Sequence, residues 1–281
     1  MTTPRDLETK GSPNWCPGCG NFGIWNALKM AISELGLEPH NIVMTSGIGC
    51  SSKHPHWLRT YAFNGLHGRL IPLALGVKLA NHKLKVIGTG GDGDGYAEGG
   101  NHFMHFCRHN IGVTYIVHNN QIYGLTKGQA SPTSDEGFVT KTTPYGTVEK
   151  ALNPVLVALA AGATFVARGY AGNINQLKEL MKRAIMHKGA AILDILQPCV
   201  TFNKVNTYDW YTKRVYELKE QCKTRIEAMT KASEWGDKIP IGVFYESNEP
   251  SYEERLPQLK VEPLAKQELN TDIKHLLEEL K

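Results

Sequence analysis

Short apolar runs alternate with amphipathic stretches along most of the chain. Ile42-Val43-Met44, Val86-Ile87, Val113 to Val117, Thr164 to Ala167 and Ala190 to Leu196 have strand length and are rich in β-branched residues. Between them, apolar residues recur at helical spacing. Ile24, Leu28 and Ile32 share one face, and helices are expected over Leu70 to Ala80, after Asp94, near Val148 to Ala161 and over Ile174 to His187. Strand, helix and strand in repeated order predict an α/β fold, a doubly wound parallel sheet of about five or six strands. Beyond Thr201 the pattern changes. Tyr208, Trp210, Tyr211 and charged helical pieces reach Asp237. Pro240, Pro250, Pro257 and Pro263 then punctuate an extended stretch before a last short helix, Lys266 to Leu280. Residues 1–205 therefore read as the binding domain, and 206–281 as a helical and extended segment of the kind that often wraps another subunit, with a plain surface extension as the equally ordinary alternative.

The ends of two expected strands carry chemistry. Lys85 to Gly88 runs into Gly90-Gly91-Asp92-Gly93-Asp94-Gly95, and Val113 to Val117 runs into Asn119-Asn120. Ligands of such sheets bind beyond the carboxyl ends of the strands. Glycines let backbone N–H groups approach a phosphate closely. Asp92 and Asn120, 28 positions apart (120 − 92), offer hard oxygens that suit Mg²⁺ shared with phosphate. The ordinary alternative is a tight turn with Asp92 as a helix cap. Two loops could add ligand contacts. Leu66-His67-Gly68-Arg69 brings an imidazole and a guanidinium, and Tyr123 to Ser134 is polar and turn-rich, as active-site loops are.

Composition narrows the class. The 281 residues are 41% hydrophobic and 21% charged, as in globular proteins, with a net charge of +4 spread along the chain. Nothing suggests a nucleic-acid surface or a membrane span. Met1 to Ser12 is polar, without the apolar core of a signal peptide, so the expected location is cytoplasmic. In that compartment six cysteines point to metal binding or catalysis rather than disulfides. Cys16-Pro17-Gly18-Cys19 has three readings: half a zinc site, a thiol redox pair, or two ligands of an iron–sulfur cluster. Cys50, after a strand and a Gly/Ser turn, and Cys199, after another strand, are the further candidates. Four thiolates suit Zn²⁺ or a [4Fe–4S] cluster. Cys107 reads as helix packing and Cys222 as partly exposed. His102, His105 and His109 share a helix face but have Phe103, Phe106 and Cys107 beside them, which favours a packed helix over a metal site.

The spacing of Gly91-Asp92-Gly93 to Asn120 resembles the thiamine diphosphate motif, in which Asp92, Asn120 and the Ile122 carbonyl would hold Mg²⁺. The ordered set Cys16-Pro17-Gly18-Cys19-Gly20, Ser46 to Ser52, His67-Gly68-Arg69, Gly91 to Asp94, Asn119 to Gln129 and Cys199 to Asn203 closely resembles the β subunits of 2-oxoacid:ferredoxin oxidoreductases, in particular the 2-oxoglutarate type. The resemblance covers about residues 13 to 220. It implies the diphosphate-binding domain of thiamine enzymes, with Ile48, Gly49, Cys50, Ser51, His67, Gly91, Asp92, Gly93, Asp94, Asn120, Ile122, Tyr123, Gly124, Leu125 and Thr126 at the cofactor. It implies one [4Fe–4S] cluster on Cys16, Cys19, Cys50 and Cys199, because the ferredoxin-like insertion of longer relatives is missing. The activity implied is oxidative decarboxylation of a 2-oxoacid to acyl-CoA and CO₂, with coenzyme A as co-substrate and electrons passing singly to ferredoxin. His67, Lys53 and Lys127 would serve substrate and reaction, the lysines on the distal carboxylate of 2-oxoglutarate. The carbanion-generating Glu would lie on an α subunit, in an αβ or (αβ)₂ assembly. Alternatives are the same chemistry on pyruvate or many 2-oxoacids and, more remotely, a non-oxidative thiamine decarboxylase or a structural zinc protein.

Overall fold

A computed structural model describes residues 2–260, 262–268 and 272–280. Eight strands form one sheet: β1 (Ile42–Ser46), β2 (Tyr61–Asn64), β3 (Lys85–Gly91), β4 (Val113–Asn119), β5 (Phe165–Tyr170), β6 (Ala191–Leu196), β7 (Val215–Glu217) and β8 (Ile239–Glu246). Their order is β2-β1-β3-β4-β6-β5-β8-β7, and every pairing is parallel except β5 with β8. The helices are α1 (Gly20–Glu34), α2 (Leu70–Ala80), α3 (Gly100–His109), α4 (Pro154–Ala161), α5 (Ile174–Met186), α6 (Tyr208–Thr212), α7 (Arg225–Ala232), α8 (Tyr252–Arg255) and α9 (Lys274–Glu279).

The apolar runs cover both faces because strand side chains alternate. Ile87, Ile116, Phe165 and Leu193 enter a core with α1 and α5, while Val86, Tyr115, Val166 and Ile192 enter a second core with α2, α3 and α4. Each fully buried apolar side chain contributes about 1.5–3 kcal/mol. This is the expected doubly wound α/β sheet. Its winding reverses between β1 and β3, and a crevice opens at such a reversal. The carboxyl ends of β2, β1, β3, β4 and β6, neighbours in that order, all meet the crevice.

Several expectations are corrected. The sheet has eight strands, not five or six. The stretch before His67 contains β2, an edge strand with all four residues exposed, which hides the usual burial pattern. The helix expected from about Val148 starts at Pro154, where Asn153 accepts a hydrogen bond from Leu156 N (3.2 Å) and proline occupies the first turn. The stretch around Pro240 is not an extended tail but β8. Its pairing with β5 starts at Gly242, so the missing proline N–H takes nothing from that ladder. The last helix spans Lys274–Glu279 rather than Lys266 to Leu280, and residues 269–271 of the expected helix lie outside the described residues. Phe103, Phe106 and Cys107 are buried, as expected of a packed α3.

Candidate functional site

Asp92 follows β3 directly and is buried, and Asn120 follows β4. Two hydroxyls from the loop after Asn120 fix the Asp92 carboxylate: Ser131 Oγ donates to Oδ2 at 2.5 Å, and Thr133 Oγ1 stands 2.7 Å from the same oxygen and 2.8 Å from Asn119 Oδ1, two acceptors that compete for its one proton. Burial pushes the Asp92 carboxyl up to about 6, against these hydrogen bonds. The Asn120 amide donates to Gln197 Oε1 (3.0 Å), and its oxygen accepts from Ile122 N (3.2 Å). Gln121 between them takes a φ of +55°, which turns the chain back over the crevice.

Asp94 is the tie between loops. Its Oδ1 accepts from Ile48 N (2.9 Å), Gly68 N (2.8 Å) and His67 Nδ1 (2.7 Å), so the turns after β1, β2 and β3 share one carboxylate. Among the described residues, its Oδ2 is buried without a partner. Gly68 is required here: its φ is +69°, and a side-chain carbon would stand 2.3 Å from the Glu98 carbonyl carbon. Because a carboxylate only accepts, Nδ1 of His67 carries a proton, which leaves Nε2 as the ring atom available to a ligand.

Every residue expected at the cofactor, from Ile48 to Ser51, then His67, Gly91 to Asp94, Asn120 and Ile122 to Thr126, lines one cleft with about 80 Å³ of free space. That is room for the phosphate end of a cofactor rather than for all of it. A second cavity of about 250 Å³ lies alongside. Cys16, Cys19, Cys50 and Cys199 face it, together with Lys53, Lys127 and Trp15. Three loops are clamped around it. Cys19 N donates to Cys16 O (2.9 Å), Gly20 N to Pro198 O (3.2 Å) and Trp15 Nε1 to Cys50 O (2.7 Å). Burial raises the Cys19 thiol to about 12, and the three other cysteines push it the same way. Burial also raises Cys50, against the charge of Lys53. The sulfurs ring the cavity rather than meet at a point: among the described residues, no three His, Cys, Asp or Glu side chains close on a single-ion site. Cys107 is buried in α3 and Cys222 is half-buried, both away from the cavity.

The two cavities share Cys50, Asn120, Gly124 and Leu125. A side-chain carbon at Gly124 would stand 3.7 Å from Cys199 Sγ and 3.8 Å from Cys50 Sγ, so glycine keeps the dividing wall thin. Lys53 and Lys127 stand on the cysteine side and do not line the cleft. The sequence reading missed Ser131 and Thr133 as partners of Asp92. Their only signal was a hydroxyl-rich run in the loop after Asn120.

Comparison with known proteins agrees with this geometry. Residues 47–195 match the family model of the thiamine pyrophosphate enzyme C-terminal TPP-binding domain. Residues 199–261 match that of the C-terminal part of the pyruvate ferredoxin oxidoreductase beta chain. A 2-oxoacid:ferredoxin oxidoreductase subunit beta of a Sulfolobus species is 50% identical over 259 residues, which cover 86% of this chain and 85% of that one. The chain belongs to the β subunits of the 2-oxoacid:ferredoxin oxidoreductases. It is thus part of a thiamine-diphosphate-dependent oxidoreductase, and as a β subunit it implies an α partner. The 2-oxoglutarate synthase subunit KorB of Methanocaldococcus jannaschii is 38% identical over 247 residues, 87% of this chain and 92% of that one. A 2-oxoglutarate:ferredoxin oxidoreductase from Magnetococcus marinus, solved with 2-oxoglutarate, coenzyme A and succinyl-CoA bound, superposes with a TM-score of 0.92 at 38% identity, over 99% of this chain and 96% of that one. Among the described residues no helix is long and apolar enough to cross a membrane.

Proposed function

We propose that this β subunit, joined to its α subunit, oxidatively decarboxylates a 2-oxoacid, by preference 2-oxoglutarate, to acyl-CoA and CO₂ and passes electrons through its own [4Fe–4S] cluster to ferredoxin in the cytoplasm. The observation that carries the reading is the thin shared wall: Cys50 and Gly124 face both the cofactor cleft and the cysteine cavity. Bound thiamine diphosphate supplies the carbanion and electron sink for decarboxylation, and a cluster takes electrons singly.

The residues present fit both groups. Asp92, the Asn120 amide oxygen and the Ile122 carbonyl are hard oxygens beside one cleft, as Mg²⁺ on a diphosphate needs. Four thiols ringing about 250 Å³ suit a cluster better than one Zn²⁺, whose thiolates would converge at about 2.3 Å. Asp94 holds the proton at His67 Nδ1, so Nε2 can meet the diphosphate or the reacting end. Residues 1–205 form the binding part. The segment 206–281, although it adds β7 and β8 to the sheet, is assigned to contact with the α partner. The 2-oxoglutarate-linked names of the M. jannaschii and M. marinus relatives support the substrate. Lys127 and Lys53 are assigned to its distal carboxylate.

The test is anaerobic co-purification with the neighbouring α subunit, followed by assays on pyruvate and 2-oxoglutarate. A brown protein with about four iron atoms per β chain supports the reading. A colourless protein with zinc rejects it.

A further inference from the structure

Behind Asp92 a buried polar chain ends in an ion pair. Asp194 on β6 and Arg168 on β5 are each 1% exposed, with Arg168 Nε 3.7 Å from Asp194 Oδ2. Among the described residues that Nε has no hydrogen-bond partner, and the pair borders a cavity of about 170 Å³ that Asn119 and Thr133 also line. Burying such charges costs hydration that apolar residues of the same size would not lose. Burial pushes the Asp194 carboxyl up, and Arg168, Tyr96 and Asn119 pull it back.

Asp194 accepts from Asn119 Nδ2 at 3.2 and 3.4 Å and from the Tyr96 hydroxyl at 2.9 Å. An ionised carboxylate only accepts, so it turns the Asn119 nitrogen toward β6 and the Asn119 oxygen toward Thr133. Thr133 Oγ1 stands 2.8 Å from that oxygen and 2.7 Å from Asp92 Oδ2, while Ser131 Oγ stands 2.5 Å from the same Asp92 oxygen. The Thr133 hydroxyl has one proton to give. When Asn119 takes it, Asp92 accepts a hydroxyl proton from Ser131 alone and keeps more charge for a cation. With the Asn119 amide reversed, both hydroxyls point at Asp92 and weaken it as a ligand.

We propose that Asp194 is a positioning residue for the cation site: through Asn119 and Thr133 it sets how many hydroxyl protons Asp92 accepts, and so how strongly Asp92 binds the metal. The inference rests on the reading of Asp92 as a metal ligand.

The test uses the α/β complex stripped of divalent cations, with thiamine diphosphate present and Mn²⁺ as the probe. The electron paramagnetic resonance of free Mn²⁺ counts what is bound. Asp194→Asn should raise the Kd for Mn²⁺ about tenfold, the lower end for residues that support a ligand. In a Thr133→Val background, where the amide has no hydroxyl to redirect, the same substitution should change Kd by less than about twofold. Loosening of β6 alone would weaken binding equally in both backgrounds and overturn the proposal, as would wild-type affinity in Asp194→Asn. Asp92→Asn separates the two readings. If it keeps wild-type affinity, the metal site itself is wrong. If it loses Mn²⁺ while Asp194→Asn does not behave as expected, only the positioning role fails. Should Asp194→Asn not fold with Arg168 left unpaired, the double variant Arg168→Met/Asp194→Leu leaves no buried charge alone and no acceptor for the Asn119 amide, and is judged by the same two comparisons.

Discussion

Asp92 carries the sharpest consequence at the scale of single residues. Burial lifts its carboxyl to about 6, against an ordinary value of 3.8. Between about pH 4 and about 6 the folded chain therefore binds this proton and the unfolded chain does not, so stability falls as pH rises through that window, by about 3 kcal/mol in all. A divalent cation competes with the same proton. The Tm gained from Mg²⁺ with thiamine diphosphate should thus grow between about pH 5 and about 7, and Asp92→Ala should abolish it. Scanning calorimetry at the two pH values reads this, and an equal gain in Asp92→Ala would leave the turn merely structural. Among the cysteines, if the proposed [4Fe–4S] cluster is bound by this set, Cys50→Ala should lose iron or leave the proposed cluster oxygen-labile, while Cys222→Ala should keep it. Equal iron loss in both would overturn the ligand assignment. Lys53, whose charge opposes the raised Cys50 thiol, should also stabilise added electron density nearby. Lys53→Ala is expected to lower the potential of the proposed cluster in a redox titration, and an unchanged potential would place the ammonium group in solvent.

At the scale of elements, Asp94 and Gly68 join three turns. Gly68→Ala has no room against the Glu98 backbone and requires a strained φ, so it should cost about 1–3 kcal/mol and free His67 from Asp94. A fall in Tm together with weaker cofactor binding checks this, and a fall in Tm alone would separate the turn from the site. The motif-bearing elements were legible in the sequence because glycines and acids end strands there for a chemical reason. Asp92, Asn120 and the four cysteines come together in the fold although up to 183 positions separate them (199 − 16). What was not legible has physical causes. β2 is exposed at an edge and shows no apolar alternation, and β8 carries Pro240, which argues against a strand until its partner is known. The roles of Ser131 and Thr133 depend on how a long loop folds back, which no local pattern encodes.

At the scale of the whole molecule, the cleft opens at a rim where apolar side chains meet solvent. Ile48 is 43% exposed, Leu125 45% and Leu66 76%, and apolar groups beside a binding site mark a surface that a partner covers. The chain alone should therefore be inactive, and the substrate question belongs to the α/β complex. 2-Oxoglutarate differs from pyruvate by a distal carboxylate, which needs a cation. Lys127 has a φ of +78° in the turn that continues the shared wall, and it faces the cysteine cavity rather than the cleft. A carboxylate that crosses the wall at Gly124 would meet it; one that turns toward the α subunit would not. A desolvated charge-assisted hydrogen bond contributes roughly 1.5–3 kcal/mol, about ten- to a hundredfold in specificity. If Lys127 makes that contact, Lys127→Ala should lower kcat/KM for 2-oxoglutarate by that factor and leave pyruvate nearly unchanged, because a general defect would lower both alike. An unmoved ratio in both Lys127→Ala and Lys53→Ala would assign the distal carboxylate to the α subunit. A wild-type preference for pyruvate would remove the dicarboxylate reading and leave the 2-oxoacid chemistry standing.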